Sequence, residues 1–118
     1  MSRDHRRLRV FDLADKLVLD VYRATRAFPV EERFALQSQL RRCAVSTAAN
    51  IVEGCARRTK REYVHFLNIA RGSAGEARYL ADLSNRLDFI ASSDATLLED
   101  GYRELCGSLT SLISVNLT

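Results

Sequence analysis

The chain has 118 residues, 47% of them apolar and 28% charged, with a net charge of +3. That length allows one domain with its own core, and that balance excludes a disordered chain. No apolar run approaches the roughly 20 residues that cross a bilayer, and no signal-peptide stretch follows the basic residues 1–9, so a cytoplasmic protein without a membrane partner is expected.

Residues 1–9 form a basic tail, expected to be flexible, that carries Arg3, Arg6, Arg7 and Arg9. The first helix is expected over residues 10–28. Val10, Ala14, Leu17, Val21, Ala24 and Phe28 recur at spacings of four and three, the seam of an amphipathic helix. Pro29 ends it, because proline disfavours helical geometry at the residue before it.

The second helix is expected over 32–57, with Leu36, Leu40, Cys43, Thr47, Asn50 and Gly54 on its seam. A second stripe, Val45, Ala48, Val52 and Ala56, lies on another face. One face suffices for a bundle, so this stripe points to another subunit, with simple deep burial as the competing reading.

Thr59-Lys60-Arg61-Glu62 is a capping-box pattern that opens a third helix reaching about residue 89. Tyr63, Phe66, Ala70, Ala74, Ala77, Leu80, Ser84 and Leu87 form its seam. Gly72 and Gly75 lie inside it at a cost of roughly 1 kcal/mol each, which implies close approach of a neighbouring helix. Ser92-Ser93-Asp94 offers an N-cap for a last helix over 95–116, with Leu98, Tyr102, Leu105, Leu109, Leu112 and Asn116 on its seam. Four such helices with short connections form a single all-α domain over 1–118, an antiparallel up-down-up-down bundle.

Several stretches resemble the bacterial four-helix-bundle family of 23S rRNA intervening-sequence proteins, which includes accessory proteins of diversity-generating retroelements. These are residues 8–11, Phe28-Pro29-x-Glu31-Glu32, residues 36–46, Asn50-Ile51-Val52-Glu53-Gly54 and residues 62–73. Many relatives carry a proline in the second helix where this chain has Thr47-Ala48-Ala49, so no kink is implied there. The resemblance implies a homo-oligomer, a pentameric ring in many members. For the retroelement branch it implies a nucleic-acid or reverse-transcriptase partner. It implies no catalytic role and no cofactor.

Charge is divided unevenly. Residues 1–71 hold 15 Lys+Arg and 8 Asp+Glu, whereas residues 72–118 hold 3 and 7; 16 of the 18 cations are Arg. Arg57, Arg58, Lys60 and Arg61 mark the turn between the second and third helices, and Arg41 and Arg42 lie about four turns earlier. In an up-down bundle this turn shares one end with the tail, so these cations, with Arg6, Arg7 and Arg9, are the candidate nucleic-acid contacts, made to phosphates. Ordinary surface charge or an acidic protein partner are the competing readings. No aromatic platform interleaves with the arginines, so sequence-specific reading of single strands is not supported.

Other constellations are thinner. Glu62-x-x-His65 has the spacing of di-iron bundle sites, but the second pair those sites require is lacking and His5 is the only other histidine. Asn50, Glu53 and Gly54 read as structural: a seam asparagine sets register and the glycine permits close packing. Cys43, Cys55 and Cys106 are an odd number without close pairing, so reduced, buried thiols are expected, with no nucleophilic role.

Overall fold

A computed structural model describes residues 3–117. Four α-helices account for most of it: α1 (Arg9–Ala24), α2 (Leu36–Cys55), α3 (Lys60–Arg86) and α4 (Ser92–Asn116). Among the described residues there is no strand. The bundle is 45 Å long, and each helix packs on its chain neighbours while α4 closes back on α1. Side-chain contacts run antiparallel: Gln39 meets Glu76, Ser46 meets Ser73, and Gly54 lies against Phe66. The expected up-down-up-down bundle is the observed fold.

The seam of α1 is buried as its spacing implies: Val10, Ala14, Leu17, Val21 and Ala24, with Phe28 beyond the helix. The helix stops four residues early. Thr25 turns its hydroxyl back onto the Val21 carbonyl (2.7 Å), and residues Thr25–Ala27 tighten to a 3-10 turn. The α1–α2 connection is then organised around buried Thr25. Its hydroxyl accepts from Arg41 Nε (2.8 Å) and its carbonyl accepts from Gln37 Nε2 (2.7 Å).

The start of α2 is a correction. Residues Val30–Glu32 form a 3-10 turn and the helix proper begins at Leu36. It then runs unbroken through Thr47-Ala48-Ala49 to Cys55. Asn50 is half-buried, not on the deepest seam. Its Nδ2 donates to the Ser46 carbonyl and hydroxyl, and that hydroxyl shares a 2.9 Å hydrogen bond with Ser73 on α3. The asparagine thus supports an α2–α3 cross-link through Ser46.

Thr59 caps α3 by accepting from the Glu62 N–H (3.1 Å). The reciprocal half of the expected capping box differs, because the Glu62 carboxylate accepts from the Thr59 hydroxyl and not from a backbone N–H. The far end of α3 falls at Arg86, short of 89. Asp88 adopts φ 60°, and the Phe89 N–H returns to the Ser84 carbonyl (2.9 Å) while the Asp88 N–H returns to that of Asn85 (3.0 Å). This is a Schellman stop with aspartate in the position glycine usually takes. The expected cap of α4 is also corrected: Ala91 is the N-cap with no side-chain bond, and Ser92 donates instead to Asn85.

The glycines divide. A β-carbon on Gly54 would lie 3.1 Å from Phe66 Cβ, and one on Gly101 would lie 2.5 Å from Leu17 Cδ2. Nothing stands within 4 Å of such a carbon on Gly72 or Gly75, so the helix approach expected there is absent within the subunit.

Candidate nucleic-acid interface

The chain between the ends of α2 and α3 is too short to hide its charges. Arg58, Lys60 and Arg61 are exposed, and Lys60 and Arg61 stand in the first turn of α3. Cations there oppose the helix dipole, typically at 0.3–1 kcal/mol each in roughly exposed positions. The free N–H groups and the cations together make this end attractive to anions.

The free tail expected over residues 1–9 is a docked segment where it is described; residues 1 and 2 lie outside the described residues. Asp4 caps a 3-10 turn, His5–Arg7. The Arg3 N–H donates to the Cys55 carbonyl at 2.6 Å, and the Arg3 guanidinium stacks 3.9 Å from the centroid of the Tyr63 ring. The His5 ring meets Phe11 edge-on at 4.7 Å. Docking brings Arg6, Arg7 and Arg9 to the end that holds Arg58, Lys60 and Arg61. Asp4 tempers two of these charges: it accepts from Arg6 Nε at 3.1 Å and lies 4.0 Å from Arg7. The bond from the Arg6 side chain holds its carboxyl below the usual range, and the bond from the Arg6 backbone adds to this.

Arg57 is half-buried, not splayed into solvent. It pairs with Glu53 one turn back, and its guanidinium carbon lies 5.0 Å from the centroid of the Phe66 ring. Glu53 therefore positions Arg57, and Gly54 lets α3 come close enough for Phe66 to meet it. Aromatic rings therefore do back two of the arginines, although Tyr63 is itself buried and offers no open face. Tyr63 and Phe66, three residues apart on α3, each carry a guanidinium that arrives from another segment. No local spacing announces such a contact, because Arg57 reaches its ring across the α2–α3 turn and Arg3 reaches its own from the docked N-terminal segment.

Arg41 and Arg42 are not brought to this end. Arg41 lies 16 residues before Arg57, roughly 24 Å along the helix axis. It is occupied there, bonded to Thr25 and to the Tyr22 carbonyl and stacked 4.5 Å from the Tyr22 ring. Arg42 lines a small hollow between α2 and α3 with Gln39, Cys43, Ser46, Ser73 and Glu76. Burial, reinforced by the Glu76 carboxylate, pushes the Cys43 thiol up to about 12. Cys55 and Cys106 are raised by burial as well. Thiols so raised are protonated at neutral pH, which is the inert rather than the nucleophilic form. Glu62 is held by Thr59, and no cluster of three or more metal-ligating side chains exists among the described residues.

The basic end thus gathers eight cations, Arg3, Arg6, Arg7, Arg9, Arg57, Arg58, Lys60 and Arg61, against the carboxylates of Asp4, Glu53 and Glu62. It continues into an open groove of about 980 Å³ between α1 and α4, bordered by Arg7, Leu8, Arg9, Leu112 and Val115.

The sequence pattern of the family described as 23S rRNA-intervening sequence protein matches residues 6–111. The chain belongs to this family. A crystal structure of a protein with unknown function from the S23 ribosomal protein family of Bacteroides thetaiotaomicron superposes with a TM-score of 0.81 at 24% identity, covering 89% of this chain and 95% of that one. That likeness is one of fold. No protein of curated description matches the chain. Within the intervening-sequence family's fold, the matched span includes both the docked arginines from Arg6 onward and the α2–α3 turn. No helix among the described residues is long and apolar enough to cross a membrane.

Proposed function

We propose that the chain is a non-enzymatic, oligomeric bundle protein that binds structured RNA or DNA through phosphate contacts at its basic end. What supports this reading is the docked N-terminal segment, which brings Arg6, Arg7 and Arg9 to the end of the bundle that holds Arg58, Lys60 and Arg61. Each phosphate neutralised releases a counterion, so affinity grows with the number of such contacts and falls with salt. The family takes its name from an element of 23S rRNA, which makes structured RNA the first probe.

Changing Arg58, Lys60 and Arg61 together to Glu is the test. Arg57 is left alone because its pairing with Glu53 and packing on Phe66 would confound stability with binding. We expect affinity for labelled structured RNA to fall at least about tenfold near 100 mM salt, with a flatter salt dependence. An unchanged affinity and salt slope refutes the assignment. If even wild type binds nothing at low salt, the arginines face an acidic protein partner or solvent, and the chain is a scaffold.

The oligomer is part of the proposal. Leu19, Tyr22 and Val45 are 50%, 40% and 43% exposed, an apolar surface that spans the outer faces of α1 and α2. Ala48, also expected at the interface, is buried within the subunit and adds little area, while Val52 is half-buried. A Val45→Glu, Val52→Glu variant is expected to lower the mass found by light scattering to that of a monomer. An oligomer of undiminished mass removes this face from the interface.

A further inference from the structure

The docked N-terminal segment carries one acidic residue among its cations: Asp4, between Arg3 and the pair Arg6-Arg7. Part of its role is local. Its Oδ1 accepts from the Arg6 backbone N–H at 3.1 Å, which caps the turn His5–Arg7. A cap needs one side-chain oxygen, and asparagine or serine supplies it about as well as aspartate does. The turn therefore does not require the charge, and a negative charge here opposes the binding of any anion.

Arg6 engages that charge. Its Nε donates to Asp4 Oδ1 at 3.1 Å and its Nη2 donates to Oδ2 at 3.2 Å. Two N–H bonds to two oxygens of one anion make the fork through which arginine also takes a phosphate. Arg7 Nε stands farther off, 4.0 Å from Oδ2. The pair is open to solvent, with the Arg6 side chain 78% exposed and that of Asp4 38%. Exposed pairs of this kind are weak, within about fivefold as an equilibrium constant, so a phosphate that reaches the fork can replace the carboxylate.

We propose that Asp4 is an autoinhibitory stand-in for phosphate: its carboxylate occupies the fork of Arg6 in the free protein and yields it to a phosphate of the bound nucleic acid. This rests on the phosphate-binding reading above and adds a residue that sets its strength. The basic end then binds less tightly than its cations alone would allow, and the shortfall is assigned to one side chain.

Asp4→Asn tests this, because it keeps a capping oxygen and removes the charge. Its affinity for a labelled RNA hairpin at about 100 mM salt is expected to rise about two- to fivefold. The slope of affinity against salt should steepen by about 0.7–0.9, one further phosphate contact. Asp4→Ser, a different cap without charge, should give the same gain, so the result does not hang on one variant folding. In an Arg6→Gln background the gain from Asp4→Asn is expected to shrink below about 1.5-fold, since the carboxylate then has no fork to occupy. An equal gain in both backgrounds overturns the proposal, because Asp4 would be acting on the whole surface at long range. No gain from either Asp4 variant, with wild type binding normally, also overturns it and leaves phosphate binding intact. If neither wild type nor the Asp4 variants bind at about 50 mM salt, both readings fall.

Discussion

Gly54→Val is expected to destabilise the bundle by about 2–3 kcal/mol, lowering the midpoint of urea unfolding while leaving its slope unchanged. A β-carbon at this position already sits 3.1 Å from Phe66 Cβ and 3.4 Å from the Tyr63 carbonyl oxygen. Neither atom belongs to the free end of a side chain that could rotate away, so α3 itself must move. Valine adds two methyl groups to that crowding. The gain from removing a helical glycine, roughly 0.5 kcal/mol for a β-branched replacement, offsets only a little of it. Displacement of α3 would also separate Phe66 from Arg57. Gly72→Ala and Gly75→Ala are the control. Open space surrounds both positions, and each change is expected to stabilise by about 0.5–1 kcal/mol through the unfolded chain and the helix. All variants need comparison at one protein concentration, because assembly would add to apparent stability. If Gly54→Val unfolds at the wild-type midpoint, the α2–α3 approach is looser than the atomic distances imply.

The same glycines show how far sequence reasoning reaches. The seams of α1 and α4 were legible because burial in a bundle imposes one periodicity on every turn: Leu98, Tyr102, Leu105 and Leu109 are all buried at the expected spacing. Close approach between helices has no such signature. The pattern placed tight packing at Gly54 correctly, placed it wrongly at Gly72 and Gly75 within the subunit, and passed over Gly101, whose neighbour is Leu17 on α1. The candidate site divides in the same way. That the tail and the α2–α3 turn share an end follows from helix count and short connections alone. That Arg3 and Arg57 lie on Tyr63 and Phe66 depends on where the tail docks and how Glu53 turns Arg57, and neither is written in local spacing. The engagement of Arg41 is unwritten in local spacing for a similar reason: its partners, Tyr22 and Thr25, are contributed by the end of a different helix.

Tyr102→Phe is expected to raise stability, whereas Tyr102→Ala should cost about 3–5 kcal/mol. The ring of Tyr102 is fully buried at mid-height on α4, and its removal leaves a cavity that a bundle cannot close without shifting α1 or α4. The hydroxyl is a separate matter. It is buried and has no hydrogen-bond partner, and such an unmet group costs about 1–3 kcal/mol relative to its solvated state in the unfolded chain. Phenylalanine keeps the ring and discards that cost, so a gain of about 1 kcal/mol is expected, or a rise in melting temperature of about 4–8 °C. Alkaline pH should widen the difference. Burial raises the Tyr102 hydroxyl above its ordinary value, and the nearby Cys43 and Asp20 add to the shift. The folded state then keeps a proton that the unfolded state releases, so wild type loses stability as pH climbs past about 10. The phenylalanine variant has no proton to lose there, and the contribution of Cys43, which also rises on burial, is common to both proteins. Denaturant midpoints at neutral and alkaline pH measure the effect. A phenylalanine variant less stable than wild type would mean that the hydroxyl is satisfied in solution, as it would be by a buried water bridging it to a backbone carbonyl of the core.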